Sequence, residues 1–344
     1  SGERGIFNRQ ASKTVAGRNK RRDDNFEFGT NPCSEIILRP FQFCNLSEVV
    51  VRESDQEEDL LDKVEAATIL GTMQSTLTSF KYLRRQWKDT TEKERLLGVS
   101  LTGIMDHKIL SGDVYNQSIL PDLLKRMKQK AVDVNKVWAK RFGINQATAI
   151  TCVKPSGTVS QLVNAASGIH ARHNEHYIRR VRGDKKDPLT KFLQSQNIPT
   201  EDCVMKPDAT AVFSFVEKSP SGCITRNRRS AIEQLDHWLV YAKYWCEHKP
   251  SITISVNEDE WLGVADWCWR NFDDLSGVSF LPNFGHIYQQ APYEDIDKDM
   301  YNELKKSQPN KINWNDLALY EQDDNTKSSQ TLACSANSCE VVDV

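Results

Sequence analysis

Four residues near the start of the 344-residue chain have side chains suited to redox and acid–base chemistry: Asn31, Cys33, Glu35 and Cys44. In an extended segment, alternate residues point to the same side, so residues 31, 33 and 35 would form one constellation. It would combine a redox-capable sulfur, a hydrogen-bonding amide and a carboxylate that can act as a base. The alternative is a buried structural cysteine. An amide and a carboxylate on the same face would be costly to bury without partners, which favours an active site.

A loop of small and hydroxylated residues follows a predicted buried strand at 147–153. Such a loop exposes backbone N–H groups that can bind an anion where a helix begins. The alternative is an ordinary helix cap provided by Ser156 or Thr158. The six residues of the predicted anion-binding loop are Pro155, Ser156, Gly157, Thr158, Val159 and Ser160.

The chain contains nine cysteines and no CxxC pair, which gives a structural zinc site little support. Cys334 and Cys339 lie in the polar segment 321–344, which we predict to be a flexible tail. Mobile thiols exchange with disulfides through mixed disulfides, so the pair could be a redox shuttle. Idle exposed thiols and metal binding are the alternatives. Five further cysteines are predicted to be small buried side chains: Cys152, Cys203, Cys223, Cys246 and Cys268.

The composition is that of an ordinary soluble globular protein, with 39% hydrophobic and 27% charged residues. A net charge of −2 gives no global basic field for nucleic acid. The sequence shows neither a membrane span nor a secretory signal, and we expect a cytoplasmic protein. His170, His173 and His176 are interpreted as loop or surface residues rather than metal ligands. The tryptophans of 257–271 are expected to pack a helix.

Hydrophobic periodicity predicts an α/β architecture without internal repeats. A polar, basic loop is predicted at 10–30 and a strand–turn–strand unit at 36–51. The predicted helices are 59–82, one containing 96–105, 122–141 ended by Gly143, 230–247 and 257–271. Further strands are predicted at 147–153, 251–256 and 278–281.

These motifs together resemble those of ribonucleotide reductase catalytic chains. Further segments carry the same resemblance: Gly2–Arg9, Gly168–His170, Tyr177–Arg182 and Ala291–Glu294. The resemblance implies that Cys33 becomes a thiyl radical that removes the 3′ hydrogen of a ribonucleotide. It implies that Glu35 accepts the proton of the 3′ hydroxyl and that Asn31 orients the ribose hydroxyls.

The same resemblance implies roles for the other thiols and for the loop. Cys44 would be one half of the dithiol that reduces the 2′ position after water leaves, with a partner cysteine upstream of the first residue of this chain. Cys334 and Cys339 would re-reduce that pair and would themselves be reduced by a thioredoxin-like protein. The loop 155–160 would bind the phosphates of the substrate.

The segments at 154–160 and 168–182 look most like the monomeric, adenosylcobalamin-dependent class II enzymes. The adjacent tyrosine pair that is usual in diiron-dependent enzymes is absent from the sequence. The resemblance therefore implies adenosylcobalamin as cofactor and a ribonucleoside triphosphate as substrate, although no residues that contact cobalamin can be assigned. A catalytic fragment of a diiron-dependent reductase and a non-catalytic assembly or regulatory half-barrel are the alternatives.

Members of this family fold as a ten-stranded α/β barrel built from two halves, with the radical cysteine on a central finger loop. The resemblance implies that residues 1–320 form the C-terminal half of such a barrel, with the finger loop at about 31–46, and that 321–344 form the redox tail. A half-barrel alone would expose sheet edges and apolar faces. We therefore expect a separate N-terminal chain to complete the barrel, through a split gene or through removal of a segment before Ser1.

Overall fold

A computed structural model describes residues 4–113, 118–283, 289–321, 332–335 and 338–341. The chain divides into two compact units. The larger unit comprises Arg4–Arg172 and Gly222–Asn283. The smaller unit comprises His173–Ser221 and the described part of Phe284–Val344.

The secondary structure alternates strands and helices through most of the chain, which confirms the α/β prediction. The strands are β1 Arg4–Phe7, β2 Gly29–Thr30, β3 Ile37–Leu38, β4 Asn45–Val50, β5 Leu97–Thr102, β6 His176–Asp184, β7 Thr200–Asp202, β8 Thr210–Lys218, β9 Thr253–Val256, β10 Gly277–Pro282, β11 Tyr293–Asp295, β12 Leu332–Ser335 and β13 Ser338–Val341. The α-helices are α1 Arg9–Arg18, α2 Glu57–Gln74, α3 Arg85–Glu94, α4 Ile119–Phe142, α5 Val159–Leu162, α6 Pro188–Ser195, α7 Ala231–Tyr244, α8 Trp261–Arg270 and α9 Lys298–Ser307. Short 3₁₀ turns occur at Ile104–Asp106, Arg226–Arg228, Glu258–Glu260 and Trp314–Leu319.

Parallel extended segments form the centre of the larger unit. β4 pairs in parallel with β5, and the segment 149–153 lies on the other side of β5, joined to it by a parallel bridge between Val99 and Thr151. A second parallel bridge joins Val153 to Pro250, which leads into β9. β9 pairs in parallel with β10, and β1 closes that edge in the antiparallel sense. The described residues contain no closed barrel, so the half-barrel stays a prediction.

Helices α2, α4 and α7 pack around these strands and bury one continuous apolar core. α2 begins with a capping box between Gln56 and Asp59, and α4 ends at Gly143, whose φ of 66° suits a left-handed cap. All six residues of β5 are buried, as expected for a parallel strand that is covered on both faces. This strand therefore provides a rigid support for the segments beside it.

Two sequence predictions were wrong in this unit. Residues 97–102, predicted as part of a helix, form β5, because a short, continuous apolar run fits a buried strand as well as a helix. The segment 10–30 was predicted as a loop but contains α1, which Asn8 caps by accepting a hydrogen bond from the backbone of Ala11. Only a few apolar residues of α1 are buried, so its periodic signal in the sequence is weak.

The smaller unit is built on an antiparallel sheet in the order β11-β6-β8-β7. Helix α6 covers part of this sheet through a cluster of buried residues that includes Phe192 and Phe213. β12 and β13 form a separate antiparallel hairpin. Within the described parts of both units, no helix is long and apolar enough to cross a membrane.

Candidate active site around Cys33 and Glu35

The backbone around Cys33 forms a turn, and the extended conformation predicted for residues 31–35 is wrong. Ser34 has a φ of 64°, and its N–H donates to the carbonyl of Asn31 at 2.9 Å. A positive φ is uncommon for a non-glycine residue and costs about 1 kcal/mol, so surrounding contacts must hold the turn. The carbonyl of Cys33 provides one such contact, since it accepts a hydrogen bond from the hydroxyl of Ser251 at 2.6 Å.

This turn nevertheless brings together the amide and the carboxylate that the sequence singled out. Nδ2 of Asn31 donates to Oε1 of Glu35 at 2.8 Å, and Oδ1 of Asn31 accepts from the N–H of Ile36 at 3.0 Å. Asn31 therefore fixes both the backbone and the side chain of the Glu35 region. Cys33 is exposed at the surface of the turn, whereas Glu35 is 0% exposed.

The two oxygens of the Glu35 carboxylate have different surroundings. Oε1 receives hydrogen bonds from Asn31 and, at 3.2 Å, from Nζ of Lys154. Oε2 is buried and has no hydrogen-bond partner among the described residues. A carboxylate oxygen accepts hydrogen bonds and can take up a proton, so Oε2 is the atom that could serve a substrate hydroxyl.

Two lysines surround this carboxylate. Burial acts to lower the pKa of Lys154, but the charge and hydrogen bond of Glu35, with a smaller contribution from Cys33, outweigh it and raise that pKa. Lys249 is 1% exposed, and its Nζ has no hydrogen-bond partner in the described part of the chain. Its burial lowers the pKa of Lys249 to about 8, against the opposing charge of Glu35. The two ammonium groups therefore place positive charge near the carboxylate of Glu35.

Cys44 precedes β4 on the same side of the larger unit and is half-buried. Burial raises the pKa of Cys44, and the nearby charge of Glu35 raises it further. Cys152 is buried in the neighbouring segment 149–153, where burial and then the charge of Cys44 raise its pKa. The sequence did not single out Cys152 as a neighbour of Cys44, because nothing around it matches a motif.

The loop 155–160 begins directly after Lys154. Only some of its polar groups form hydrogen bonds with the described residues. Ser156 is buried, and its hydroxyl donates to Oε2 of Glu48 at 2.9 Å and accepts from the N–H of Ser160 at 3.1 Å. The N–H groups of Gly157 and Thr158 are in exposed residues and donate no hydrogen bond within the described residues. Helix α5 has only four residues, so its dipole adds little. Any anion here would be bound by the backbone N–H groups of the loop.

Glu48 is a residue near this loop that sequence reasoning missed. Burial raises the pKa of Glu48, although the hydrogen bond from Ser156 and the charge of Lys154 oppose this effect. Its Oε1 is buried without a hydrogen-bond partner among the residues described. The only sequence signal for it is its place in β4, two residues after Leu46 on the same strand face.

The tail cysteines belong to the smaller unit. Cys334 and Cys339 occupy opposite positions in the β12–β13 hairpin. The intervening residues of the predicted tail, 322–331, 336–337 and 342–344, lie outside the described residues. The redox role of the pair stays a prediction.

The remaining sequence predictions have mixed outcomes. The five other cysteines are buried, as predicted. Trp267 packs into the core as expected, but Trp269 is 82% exposed, so the prediction was wrong for Trp269. No group of three or more His, Cys, Asp and Glu side chains that could hold a metal ion occurs in the described residues.

No family model matches the chain, but individual proteins do. It is 29% identical over 337 residues to the adenosylcobalamin-dependent ribonucleoside-triphosphate reductase of Lactobacillus delbrueckii subsp. bulgaricus, a match that covers 90% of this chain and 45% of that protein. It is 28% identical over 307 residues to the protein of the same name from Euglena gracilis, covering 87% of this chain and 40% of that protein. The chain thus spans less than half the length of these relatives.

Solved structures show the same relationship at the level of the fold. The crystal structure of a B12-dependent, class II ribonucleotide reductase superposes with a TM-score of 0.76 at 24% identity, covering 94% of this chain and 48% of that one. The class Id ribonucleotide reductase alpha subunit of Actinobacillus ureae gives a TM-score of 0.54 at 15% identity, covering 82% and 58%. The chain is therefore a homologue of the adenosylcobalamin-dependent ribonucleoside-triphosphate reductases along most of its length, and it folds like about half of a class II ribonucleotide reductase.

Proposed function

We propose that this chain is the C-terminal half of an adenosylcobalamin-dependent ribonucleotide reductase and carries its radical site. The observation that carries this proposal is the buried carboxylate of Glu35, with Oε1 held by Asn31 and Lys154 and Oε2 without a partner among the described residues, beside the exposed Cys33. The names of its relatives point to the same reaction.

In this proposal, the thiyl radical of Cys33 removes the 3′ hydrogen of the ribose and becomes a thiol. Oε2 of Glu35 accepts the proton of the 3′ hydroxyl, and the 2′ hydroxyl leaves as water. Cys44 and a second thiol supply two electrons and two protons, one of which leaves with the 2′ hydroxyl as water, and they form a disulfide. The burial that raises the pKa of Cys44 keeps it in the protonated form that this step uses. Glu35 then returns its proton to the 3′ oxygen, and Cys33 returns the hydrogen atom to C3′ and becomes a thiyl radical again.

We place the second thiol on an N-terminal half of the reductase, carried by a separate chain. The described strands of the larger unit leave sheet edges unpaired, which supports a further half that completes them. The finger loop is residues 31–46 and the redox tail is 321–344, with Cys334 and Cys339 reduced by a thioredoxin-like protein. Their facing positions in the hairpin suit a dithiol.

The proposed substrate is a ribonucleoside triphosphate, bound through its phosphates by the loop 155–160. The exposed N–H groups of Gly157 and Thr158 support this, as does the open space at Gly157, where an added β-carbon would have no neighbouring atom within 4 Å. Backbone N–H groups without partners are well suited to bind phosphate oxygens.

Adenosylcobalamin is the proposed cofactor, and when bound it would supply the radical that oxidises Cys33. The described residues do not form a site that would fit adenosylcobalamin. A cavity of about 430 Å³ between Arg9, Arg39 and Trp87 is too small to enclose a corrin. The steps above therefore use only protein side chains, and the second thiol is the one that lies outside this chain.

The diiron-dependent alternative has a weaker structural basis. The class Id alpha subunit matches with a TM-score of 0.54, against 0.76 for the class II enzyme. A non-catalytic half-barrel would have no use for a fully buried carboxylate with an oxygen that lacks a partner among the described residues, which is costly to maintain. Both alternatives are outcomes of the test below.

The test is anaerobic deoxyribonucleotide formation from a ribonucleoside triphosphate, adenosylcobalamin and a dithiol, with and without the N-terminal half of the reductase. We expect product only when both halves are present. Cys33→Ser should abolish turnover and leave assembly of the two halves intact, because the hydroxyl cannot replace the thiyl radical. The control Cys268→Ser changes a buried cysteine that is outside the site and should retain turnover.

Unchanged turnover by Cys33→Ser would refute the radical role of this cysteine. Turnover that requires a diiron radical protein and not adenosylcobalamin would favour the diiron-dependent alternative. Absence of turnover under both conditions, with the two halves assembled, would favour the non-catalytic alternative.

A further inference from the structure

Lys154 lies where the strand segment 149–153 meets the loop proposed to bind phosphate. Its backbone N–H donates to the hydroxyl of Ser100 at 2.8 Å, which anchors it to the buried strand β5. The next residue, Pro155, begins the loop. A change in the loop on substrate binding would therefore be transmitted first to Lys154.

The side chain of Lys154 turns from this loop towards the turn that carries Cys33. Its Nζ donates to Oε1 of Glu35 at 3.2 Å. The side chain of Lys154 is 32% exposed, whereas that of Glu35 is 0% exposed. The thiol of Cys33 is near enough to contribute to the raised pKa of Lys154, after the larger contribution of Glu35. One ammonium group, partly open to solvent, thus binds the proposed base and lies near the proposed radical thiol.

We propose that Lys154 is a positioning residue: it holds Oε1 of Glu35 so that Oε2 remains the oxygen that accepts the substrate proton, and it links that base to the phosphate loop. The catalytic role of Lys154 in this inference rests on the proposed function, whereas its contact with Glu35 does not. Asn31 holds Oε1 as well, so the carboxylate is fixed from two sides and cannot rotate to exchange its oxygens.

A simple structural ion pair is the competing interpretation. Such a pair would stabilise the fold but would not set the reactivity of Cys33 or the pH dependence of turnover. The chain offers a matched control in Lys63, whose Nζ pairs with the mostly buried carboxylate of Asp55 at 2.6 Å and whose side chain is 36% exposed. Lys63 has a similar environment to Lys154 but makes no contact with the Cys33 turn.

The first measurement does not depend on turnover. The rate at which iodoacetamide alkylates Cys33 is followed between pH 6 and 10 by mass spectrometry of the peptide that contains it. Lys154→Met removes a positive charge near the turn that carries Cys33, so it should slow the alkylation at pH 8 by about 3- to 10-fold. Lys154→Arg, which keeps the charge, should stay within about 3-fold of the unmodified chain, and Lys63→Met should not differ from it.

Equal alkylation rates for Lys154→Met and the unmodified chain would overturn the inference, and so would an equal slowing by Lys63→Met. Lys154→Gln is a second neutral variant, to be used if the methionine variant does not fold. It retains a hydrogen-bonding group and loses only the charge, so it should give the same slowing.

The second measurement uses the assembled reductase. Without the ammonium, Oε1 of Glu35 loses a donor and the site loses a positive charge, so the acidic limb of the pH profile of kcat should move to higher pH by about one unit in Lys154→Met. Lys154→Arg should restore the profile. If the unmodified enzyme reduces ribonucleotides and Lys154→Met has the same pH profile, the inference fails and the proposed function stands. If the unmodified enzyme makes no deoxyribonucleotide, the proposed function fails and the alkylation assay alone decides the role of Lys154.

Discussion

Replacing Arg22 by methionine should destabilise the larger unit, because this side chain joins the segment 35–44 to the core. The Arg22 side chain is 0% exposed. Its Nε and one terminal nitrogen lie 3.0 and 2.9 Å from Oε2 of Glu94. The guanidinium also donates to the carbonyl of Ile37 at 2.8 Å and to Oε1 of Gln42 at 3.1 Å. Ile37 and Gln42 lie between Glu35 and Cys44, so Arg22 holds the loop on which both are carried.

The expected loss of unfolding free energy follows from the buried groups that remain without Arg22. The carboxylate of Glu94 would stay buried, and removing one partner of a buried ion pair costs about 3–5 kcal/mol. The carbonyl of Ile37 would also lose its donor, which costs about 1–3 kcal/mol when the group is buried. Arg39 and Gln42 still contact Glu94 at 3.1 and 2.7 Å and offset part of this cost. We therefore expect a decrease of about 3 kcal/mol in the free energy of unfolding.

The assay is urea unfolding followed by tryptophan fluorescence, in which a loss of this size lowers the midpoint by about 1 M. Arg9→Met is the control, because Arg9 forms an ion pair with Glu27 in which both side chains are about two-thirds exposed. Such surface pairs contribute about 0–1 kcal/mol. If the two variants differ by less than about 1 kcal/mol, the buried network does not hold the loop.

Two further predictions concern stability near the site. Burial lowers the pKa of Lys249 from 10.5 to about 8. Between these two pH values the unfolded chain binds more protons than the folded chain. The free energy of unfolding of the wild type should therefore rise with pH in this range. Lys249→Met should lack this rise, and below pH 8 its free energy of unfolding should exceed that of the wild type by about 3 kcal/mol. Parallel plots of stability against pH for the two proteins would contradict this. Gly98→Ala should lower the free energy of unfolding by about 1–3 kcal/mol, because the added carbon would meet Leu46 and lie 3.0 Å from Ile36. Gly29→Ala, which has open space around it, should be neutral in the same urea assay.

The sequence predicted which residues meet at the site better than it predicted how they meet. Asn31 and Glu35 are in contact, but through a turn centred on Ser34 and not along an extended strand. A serine gives no local signal for a positive φ, which is usually associated with glycine or asparagine. Residue types at close spacing therefore indicated the chemistry, while the backbone conformation depended on contacts from Ser251, far away in the chain.

Long-range electrostatic partners were beyond the reach of the sequence. Lys154 reaches Glu35 across 119 residues, and the backbone N–H of Lys249 donates to the carbonyl of the same glutamate from a distant part of the chain. Lys154 begins a segment that the sequence singled out, but nothing in the local pattern of either lysine predicts that it lies near Glu35. Only the pairing of the parallel segments brings 149–153 and 250–256 beside the turn.

The two thiols of the site, those of Cys33 and Cys44, differ in exposure and in their charged neighbours. Cys33 is exposed, whereas Cys44 is half-buried, and burial and then the charge of Glu35 raise the pKa of Cys44. Thiol–disulfide exchange starts from a thiolate, so the raised pKa makes Cys44 a poor nucleophile towards external disulfides. Cys33 is therefore the more accessible of the two thiols to an external reagent.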